Sequence, residues 1–302
     1  MAHRSGFVNI IGNPNVGKST LMNALVGEKL SIVTSKAQTT RHRIMGIVNG
    51  EDFQIVYSDT PGILKPNYRL QQNMMNFVDG AIGDADIVLY VTDTVEKPDK
   101  NGDYVEKLRR LTCPVILIVN KIDISTQEKV VALMEYWKEL LPDAVIIPAS
   151  AQEKFNLDSI FEAILERLPV CPPWYDKDAF TDRSLRFFAS EIIREKILEN
   201  YTQEIPYSCE VVVEAFKEGA ELYEISAVIY VMRDSQKGIL IGKGGAVAYF
   251  GTNDMRVVVQ RAKEGIPEYV VPPSRFGDTG DKLVLSTGEY VCMDDGSIVE
   301  LE

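Results

Sequence analysis

Five short apolar runs punctuate the first half of the chain: FVNII (7–11), FQIVY (53–57), DIVLYV (86–91), PVILIV (114–119) and AVIIP (144–148). Each is apolar at nearly every position, the pattern of a strand buried on both faces. Between them the spacing turns helical, as in KSTLMNALVG and TQEKVVALMEYWKELL, the second with an N-cap candidate in Ser125 or Thr126. This alternation, from residue 6 to about 169, predicts a doubly wound α/β domain whose mostly parallel sheet holds ligands at the carboxyl ends of its strands. The rhythm breaks at VCPPWYDKDAFTDRS (170–184), where two prolines and clustered aspartates predict a linker. A helix follows, LRFFASEIIREKILENY, with Arg186, Arg194 and Lys196 among its polar positions. Two alternating strands around the turn Glu218-Gly219 come next. The expected organisation is a first domain at 1–170, a linker at 171–184, a second domain at 185–275 and an acidic, β-rich tail at 276–302.

The chemistry sits where the strands end. Gly12-Asn13-Pro14-Asn15-Val16-Gly17-Lys18-Ser19 is a G-x-x-x-x-G-K-S between a strand and a helix, continued by Thr20. Backbone N–H groups of such a loop surround phosphates, Lys18 neutralises the β and γ groups, and the Ser19 hydroxyl suits Mg²⁺. Asp59-Thr60-Pro61-Gly62 follows the second run; Asp59 can reach Mg²⁺ through water, and the Gly62 N–H can meet the γ-phosphate. Asn120-Lys121-Ile122-Asp123 follows the fourth run. A carboxylate at Asp123 accepts from N1–H and the exocyclic amine of guanine, donors that adenine lacks on that edge. Ser150-Ala151 completes the base pocket with a backbone N–H. Together these predict GTP and GDP with Mg²⁺ rather than ATP. In KLSIVTSKAQTTRHRI, Thr39 and Thr40 are candidates for a hydroxyl that ligates Mg²⁺ only when the γ-phosphate is present, with Thr40 favoured. A segment ordered in that way is a switch.

Composition narrows the setting. The 302 residues carry 44 Asp and Glu against 32 Lys and Arg, a net charge of −12, which argues against a broadly nucleic-acid-coating surface but leaves room for a local basic groove. Cys113, Cys171, Cys209 and Cys292 form no C-x-x-C pair and only His3 and His42 accompany them, so a zinc site is not expected and a reducing cytosol is. No apolar run approaches the roughly 20 residues of a membrane span, and the N-terminus reads as a strand rather than a signal peptide. N-K-I-D and the lack of an acceptor-substrate motif argue against a metabolic P-loop kinase.

In the second half, Gly242-Lys243-Gly244-Gly245 follows the helix and two strands. This order matches the first part of a KH domain, whose G-x-x-G loop clamps the backbone of single-stranded RNA. Gly242, Lys243, Gly244 and Gly245 are therefore RNA-binding candidates, with Lys237 near the phosphates; a structural glycine turn is the competing reading. A dinucleotide fingerprint would need glycine at position 247, where Val247 stands.

GNPNVGKS with QTTRHRI (38–44) closely resembles the Era family of bacterial GTPases. TDRSLRFFASEIIREK (181–196) resembles the helix that opens that family's KH domain, and SQKGILIGKGGA (235–246) the stretch leading to its second helix. The resemblance spans residues 5 to 246. It implies an α/β P-loop GTPase domain followed by an α+β type II KH-like domain. It further implies a switch that binds the 3′ region of small-subunit ribosomal RNA and assists 30S subunit assembly, with a peripheral fraction at the inner membrane; a cytoplasmic monomer is expected. Ile63 stands where many GTPases carry the glutamine that orients the attacking water, so slow intrinsic hydrolysis is expected. In relatives with an apolar residue there, an asparagine placed as Asn15 is associated with K⁺, which makes Asn15 a catalytic candidate beside Lys18, Thr40 and Gly62. Arg41 is a weaker candidate for transition-state charge. After Ala246 the pattern departs: the lysines of the following helix are missing, and PPSRFGDTGDKLVLSTGEYVCMDDGSIVELE is acidic. The alternative function is a GTPase whose C-terminal region binds a protein partner instead of RNA.

Overall fold

The computed structural model describes residues 2–67, 69–96, 102–218 and 223–241, and the backbone of strands at 255–261, 291–292 and 298–299. The chain divides into two compact units, Met1–Arg183 and Ser184–Glu302.

In the first unit the order is β1 (Arg4–Gly12), α1 (Lys18–Val26), β2 (Ile44–Asn49), β3 (Phe53–Asp59), α2 (Arg69–Gly83), β4 (Ile87–Asp93), α3 (Gly102–Arg109), β5 (Val115–Asn120), α4 (Gln127–Leu140), β6 (Val145–Pro148) and α5 (Leu157–Arg167). The sheet runs β2-β3-β1-β4-β5-β6. All neighbours are parallel except β2 and β3. The five apolar runs form β1, β3, β4, β5 and β6. The sixth strand, β2, is not among the five runs: its apolar stretch Ile44-Met45-Gly46-Ile47-Val48 is interrupted by Gly46 and lies at the sheet edge. Register then aligns the strand ends. Ile10 pairs with Asp59, Gly12 with Val91, and Asp93 with Asn120, so one rim of the sheet carries every nucleotide motif but the switch segment.

The core explains why the runs are apolar throughout. Met74, Val78, Val88, Tyr90, Leu117 and Trp137 are buried together where α2 and α4 meet the sheet. Each such aliphatic side chain contributes about 1.5–3 kcal/mol when fully buried. Helix α4 begins at the Thr126 cap, whose hydroxyl accepts from the Lys129 N–H.

The segment expected as a linker belongs largely to the first unit, forming a strap against β2 and β3. Edge strands expose unpaired backbone groups, and the strap takes them up. Phe180 O accepts from Ile47 N–H, and the Thr181 hydroxyl donates to Met45 O. Buried Gln54 accepts from the N–H groups of Trp174 and Tyr175 and donates to Tyr175 O. The Trp174 ring lies 5.4 Å from that of Phe7.

The second unit contains α6 (Leu185–Asn200), β7 (Cys209–Glu218), β8 (Tyr223–Val231), α7 (Asp234–Ile241) and β9 (Met255–Arg261). Strand β8 is central, antiparallel to β7 and parallel to β9. Ser184 caps α6 by accepting from Phe187 N–H. Ala189, Ile193 and Ile197 recur every four residues along α6 and pack with Val211 and Ile229. Arg194, placed among the polar positions by its type, is only 1% exposed. Burial is tolerated because Glu191, one turn back, accepts from its Nε and Nη2. Strands β10 (Val291–Cys292) and β11 (Ile298–Val299) pair antiparallel within the expected tail.

Candidate guanine-nucleotide site

The loop between β1 and α1 must turn sharply and let other backbone approach. Gly17 caps α1 at φ +95°, and a Cβ there would sit 2.3 Å from Asn120 Nδ2. At Gly62 a Cβ would lie 2.7 Å from the Pro14 backbone, so Asp-Thr-Pro-Gly rests directly on the phosphate loop. The Ile63 N–H donates to Gly12 O across the same contact. The Ile63 side chain is buried in the core with Ile11 and Met75.

Three oxygens converge beside Lys18. Ser19 Oγ donates to Asp59 Oδ2 at 2.7 Å, Thr40 Oγ1 lies 3.4 Å from the same oxygen, and the two hydroxyls are 2.9 Å apart. The other carboxylate oxygen, Asp59 Oδ1, is buried without a hydrogen bond among the described residues. Burial raises the Asp59 carboxyl above its ordinary range, against the opposing pull of Lys18. A hard divalent cation suits this oxygen set and would relieve that burial. The Thr39 hydroxyl closes a turn with Lys36 O and Thr34, whereas the Thr40 hydroxyl meets Ser19 and Asp59.

Lys18 is also buried, and its ammonium donates to Asn13 O at 2.7 Å. Burial lowers its pKa to about 8, opposed by Asp59 and Glu96. A cavity of about 410 Å³ opens here, bounded by Asn15, Lys18, Val33, Thr40, Gly62 and Lys121. A larger one, about 640 Å³, lies between the ends of α3 and α4 at the start of β5, away from this rim and from its motifs.

On the base side, Lys121 adopts φ +60° and its ammonium reaches Asn15 O and Asp93. Asn120 braces two loops, donating to Val16 O at 2.8 Å and accepting from Ala151 N–H at 3.0 Å. Ser150 Oγ donates to Asp123 Oδ1, holding that exposed carboxylate in place. The backbone donors expected of Ser150 and Ala151 are engaged inside the protein, Ser150 N–H with Phe155 O and Ala151 N–H with Asn120. Asn15 sits at φ +64° and its amide donates to Ser35 O at 3.3 Å. Arg41 is buried at 3% exposure. Thus Asn13, Pro14, Asn15, Val16, Gly17, Lys18, Ser19 and Thr20 meet Asp59, Gly62, Asn120, Lys121 and Asp123 on one rim, and Thr40 reaches in from the switch segment.

Glu96 and Asp93 were missed by motif reading. Glu96 accepts from Asn13 Nδ2 and Thr92 Oγ1, and Asp93 pairs with Lys121. The signal was available in the run Thr92-Asp93-Thr94-Val95-Glu96, acidic residues at a strand end on the same rim.

In the second unit, Lys237 is half-buried on α7. The Gln236 amide oxygen accepts from the N–H groups of Met232 and Arg233, closing the turn from β8 into α7. Gly242, Lys243, Gly244 and Gly245 lie outside the described residues. Among the described residues no cluster of His, Cys, Asp and Glu suits a transition metal, and no helix is long and apolar enough to cross a membrane.

Comparison with known proteins agrees with both units. The family model for 50S ribosome-binding GTPases matches residues 7–121, and the KH domain model matches 204–248. GTPase Era of Clostridium acetobutylicum is 45% identical over 244 residues, 80% of this chain and 82% of the relative. GTPase Era of Heliobacterium modesticaldum is 40% identical over 87% of this chain and 86% of its own length. A crystal structure of Era with MgGDPNP and nucleotides 1506–1542 of 16S ribosomal RNA superposes with a TM-score of 0.78 at 33% identity, covering 86% of this chain and 94% of that one. An Aquifex aeolicus Era variant bound to GDP and aluminium fluoride gives the same values. With the rim of nucleotide motifs, the KH match and relatives aligned over most of their length, the chain belongs to the Era family of GTPases.

Proposed function

We propose that this GTPase is a molecular switch that hydrolyses Mg²⁺-bound GTP and, through its KH unit, binds the 3′ region of small-subunit ribosomal RNA during 30S subunit assembly. The observation that carries the reading is the convergence of Ser19, Thr40 and Asp59 in a chain that also holds a KH unit. The comparison structure in which Era holds both MgGDPNP and a 16S ribosomal RNA segment supports it. The unit boundaries we assign are a GTPase domain at 1–170, a connecting segment at 171–184, a KH-like domain at 185–275 and a tail at 276–302.

Each residue has a task. Backbone N–H groups from Asn13 to Thr20 receive the phosphates, and Lys18 places its charge against them. Bound Mg²⁺ supplies charge neutralisation at the phosphates, and Ser19, Thr40 and Asp59 are the residues that would hold it. Thr40 can serve only when its segment is drawn in, which makes it the reporter of the γ-phosphate. The Gly62 N–H is available to the same phosphate. Asp123, held by Ser150, reads the guanine edge. Ile63 offers no polar atom to the attacking water, so intrinsic turnover is slow. Lys237, Gly242, Lys243, Gly244 and Gly245 are assigned to the RNA backbone. The chain acts as a cytoplasmic monomer with a peripheral fraction at the inner membrane.

A salt series of binding titrations with an oligonucleotide of the rRNA 3′ end tests the RNA half, in GDP and in a non-hydrolysable GTP analogue. Tighter binding with the analogue is expected, and reciprocally tighter analogue binding with RNA. The affinity should fall as salt rises, since phosphate contacts release counterions. Absence of binding at low salt would instead favour a protein partner for the second unit.

A further inference from the structure

We propose that Arg43 is a positioning residue that ties the exit of the switch segment to the strap entering the second unit, so that strap docking follows the bound nucleotide. The inference rests on the GTP-switch reading. The Arg43 guanidinium donates to Ser58 Oγ at 2.6 Å, to Asn9 Oδ1 at 3.1 Å, and to both oxygens of Asp84. Asn9 in turn donates to Asp84 Oδ1 and to Ala81 O. One side chain therefore joins β1, β3 and the end of α2.

Two anchors lie close along their strands to nucleotide motifs: Ser58 precedes Asp59, and Asn9 lies three residues before Gly12. Asp84 directly follows the helix after Asp-Thr-Pro-Gly, and Arg43 itself lies three residues after Thr40. A guanidinium held as a planar fork has little freedom to absorb movement of these anchors. Displacement of the α2 end or of β3 is therefore passed to the Arg43 backbone.

That backbone meets the strap. Arg43 O accepts from the guanidinium of Arg183, the last residue of the first unit. Beyond it Met45 N–H donates to Asp182 Oδ1, and Ile47 N–H donates to Phe180 O. The next residue, Ser184, caps α6. A bond that fails at Arg43 O loosens the strap at its final residue, immediately before the second unit begins. A purely structural staple would hold the strap identically in every nucleotide state, and that is the distinction to measure.

The experiment is amide hydrogen exchange of residues 176–183 in the full chain, with GDP and with a non-hydrolysable GTP analogue. The wild type is expected to differ between the two states by roughly fivefold or more in exchange rate, a difference in local opening. Arg183→Ala should abolish that difference while leaving GTP affinity within about twofold, because Arg183 touches the strap and not the nucleotide. Arg43→Lys, which keeps the charge and loses the fork, should do the same while retaining a cooperative melting transition and GTP binding. Identical exchange in both states of the wild type, or a wild-type difference retained in Arg183→Ala, overturns the inference. A prior nucleotide titration separates the failures: no GTP binding removes the switch reading too, whereas binding with an unresponsive strap removes only this inference.

Discussion

Ser19 Oγ donates to Asp59 Oδ2 at 2.7 Å, and Thr40 closes on the same pair from a segment some twenty residues downstream. The hydroxyls occupy the carboxylate where a cation would be held, so removing the charge should act chiefly through the metal. Asp59→Asn is expected to weaken Mg²⁺-dependent nucleotide binding by about 10–100-fold, the usual effect of losing an outer-sphere ligand partner. Titration of a fluorescent GTP analogue with and without Mg²⁺ measures it, and an unchanged Mg²⁺ dependence would remove Asp59 from the site.

Lys18 links nucleotide affinity to pH. In the nucleotide-free protein burial lowers its pKa from 10.5 to about 8. A phosphate beside it favours the charged form and raises that value, so binding takes up a proton above about pH 8. Affinity should then fall as pH rises, by at most about tenfold per unit. The stability of the free protein moves the other way. Between about 8 and 10.5 the unfolded chain binds more protons at this residue, so its contribution to stability rises with pH. Calorimetry in buffers of different ionisation enthalpy reports the uptake, and a pH-independent affinity from 7 to about 9 would contradict it.

Asp123 sets base choice. Asp123→Asn replaces an acceptor facing two guanine donors by an amide that pairs with the N1–H and carbonyl of xanthine. GTP affinity should fall by on the order of 10⁴, while XTP gains, because a site built for hydrogen bonds rejects a mismatched partner strongly. Equal loss of both nucleotides would mean that the change only disturbed the loop held by Ser150.

Asn15 faces Ser35 O at 3.3 Å with its amide nitrogen. Rotation of that amide would turn two oxygens toward one point at the mouth of the phosphate site, a setting for a monovalent cation. Turnover is expected to be faster in potassium than in sodium chloride at equal ionic strength. Asn15→Ala should erase the difference, and equal rates of the wild type in both salts would count against the ion.

The second unit has its own core, so it should be separable by mutation. Ile193 is fully buried among Val211, Ile229 and Ile197. Ile193→Ala is expected to destabilise that unit by about 2–5 kcal/mol. GTP binding should remain at the wild-type level. Calorimetric melting with and without GDP checks this, since nucleotide should raise only the transition of the first unit.

Much of this was legible along the chain. Continuous apolar runs are required wherever helices cover both faces of a sheet, so β1, β3, β4, β5 and β6 announce themselves. Strand β2 is less plain, because its apolar run from Ile44 to Val48 is interrupted by Gly46 and continues directly from the polar segment Gln38–Arg43 with no helix before it. Gly17 and Gly62 were readable as motif letters, yet the reason for each lies in a neighbour far away in sequence: Asn120 for one, Pro14 for the other. Arg194 misled by its type, since a charge can be buried when a partner one turn away meets it.

The sequence by itself determined five of the six strands of the first unit, the phosphate loop, Asp123 as the candidate for the guanine edge and the family, because each depends on local spacing or on residue type at a strand end. Only the tertiary structure decided that Thr40 rather than Thr39 joins Ser19 and Asp59, that Glu96 grips Asn13, and that the strap at 171–183 is docked rather than loose. Those outcomes depend on sheet register and on which unpaired backbone groups remain at an edge. Both are set by contacts between residues tens of positions apart, which no local pattern encodes.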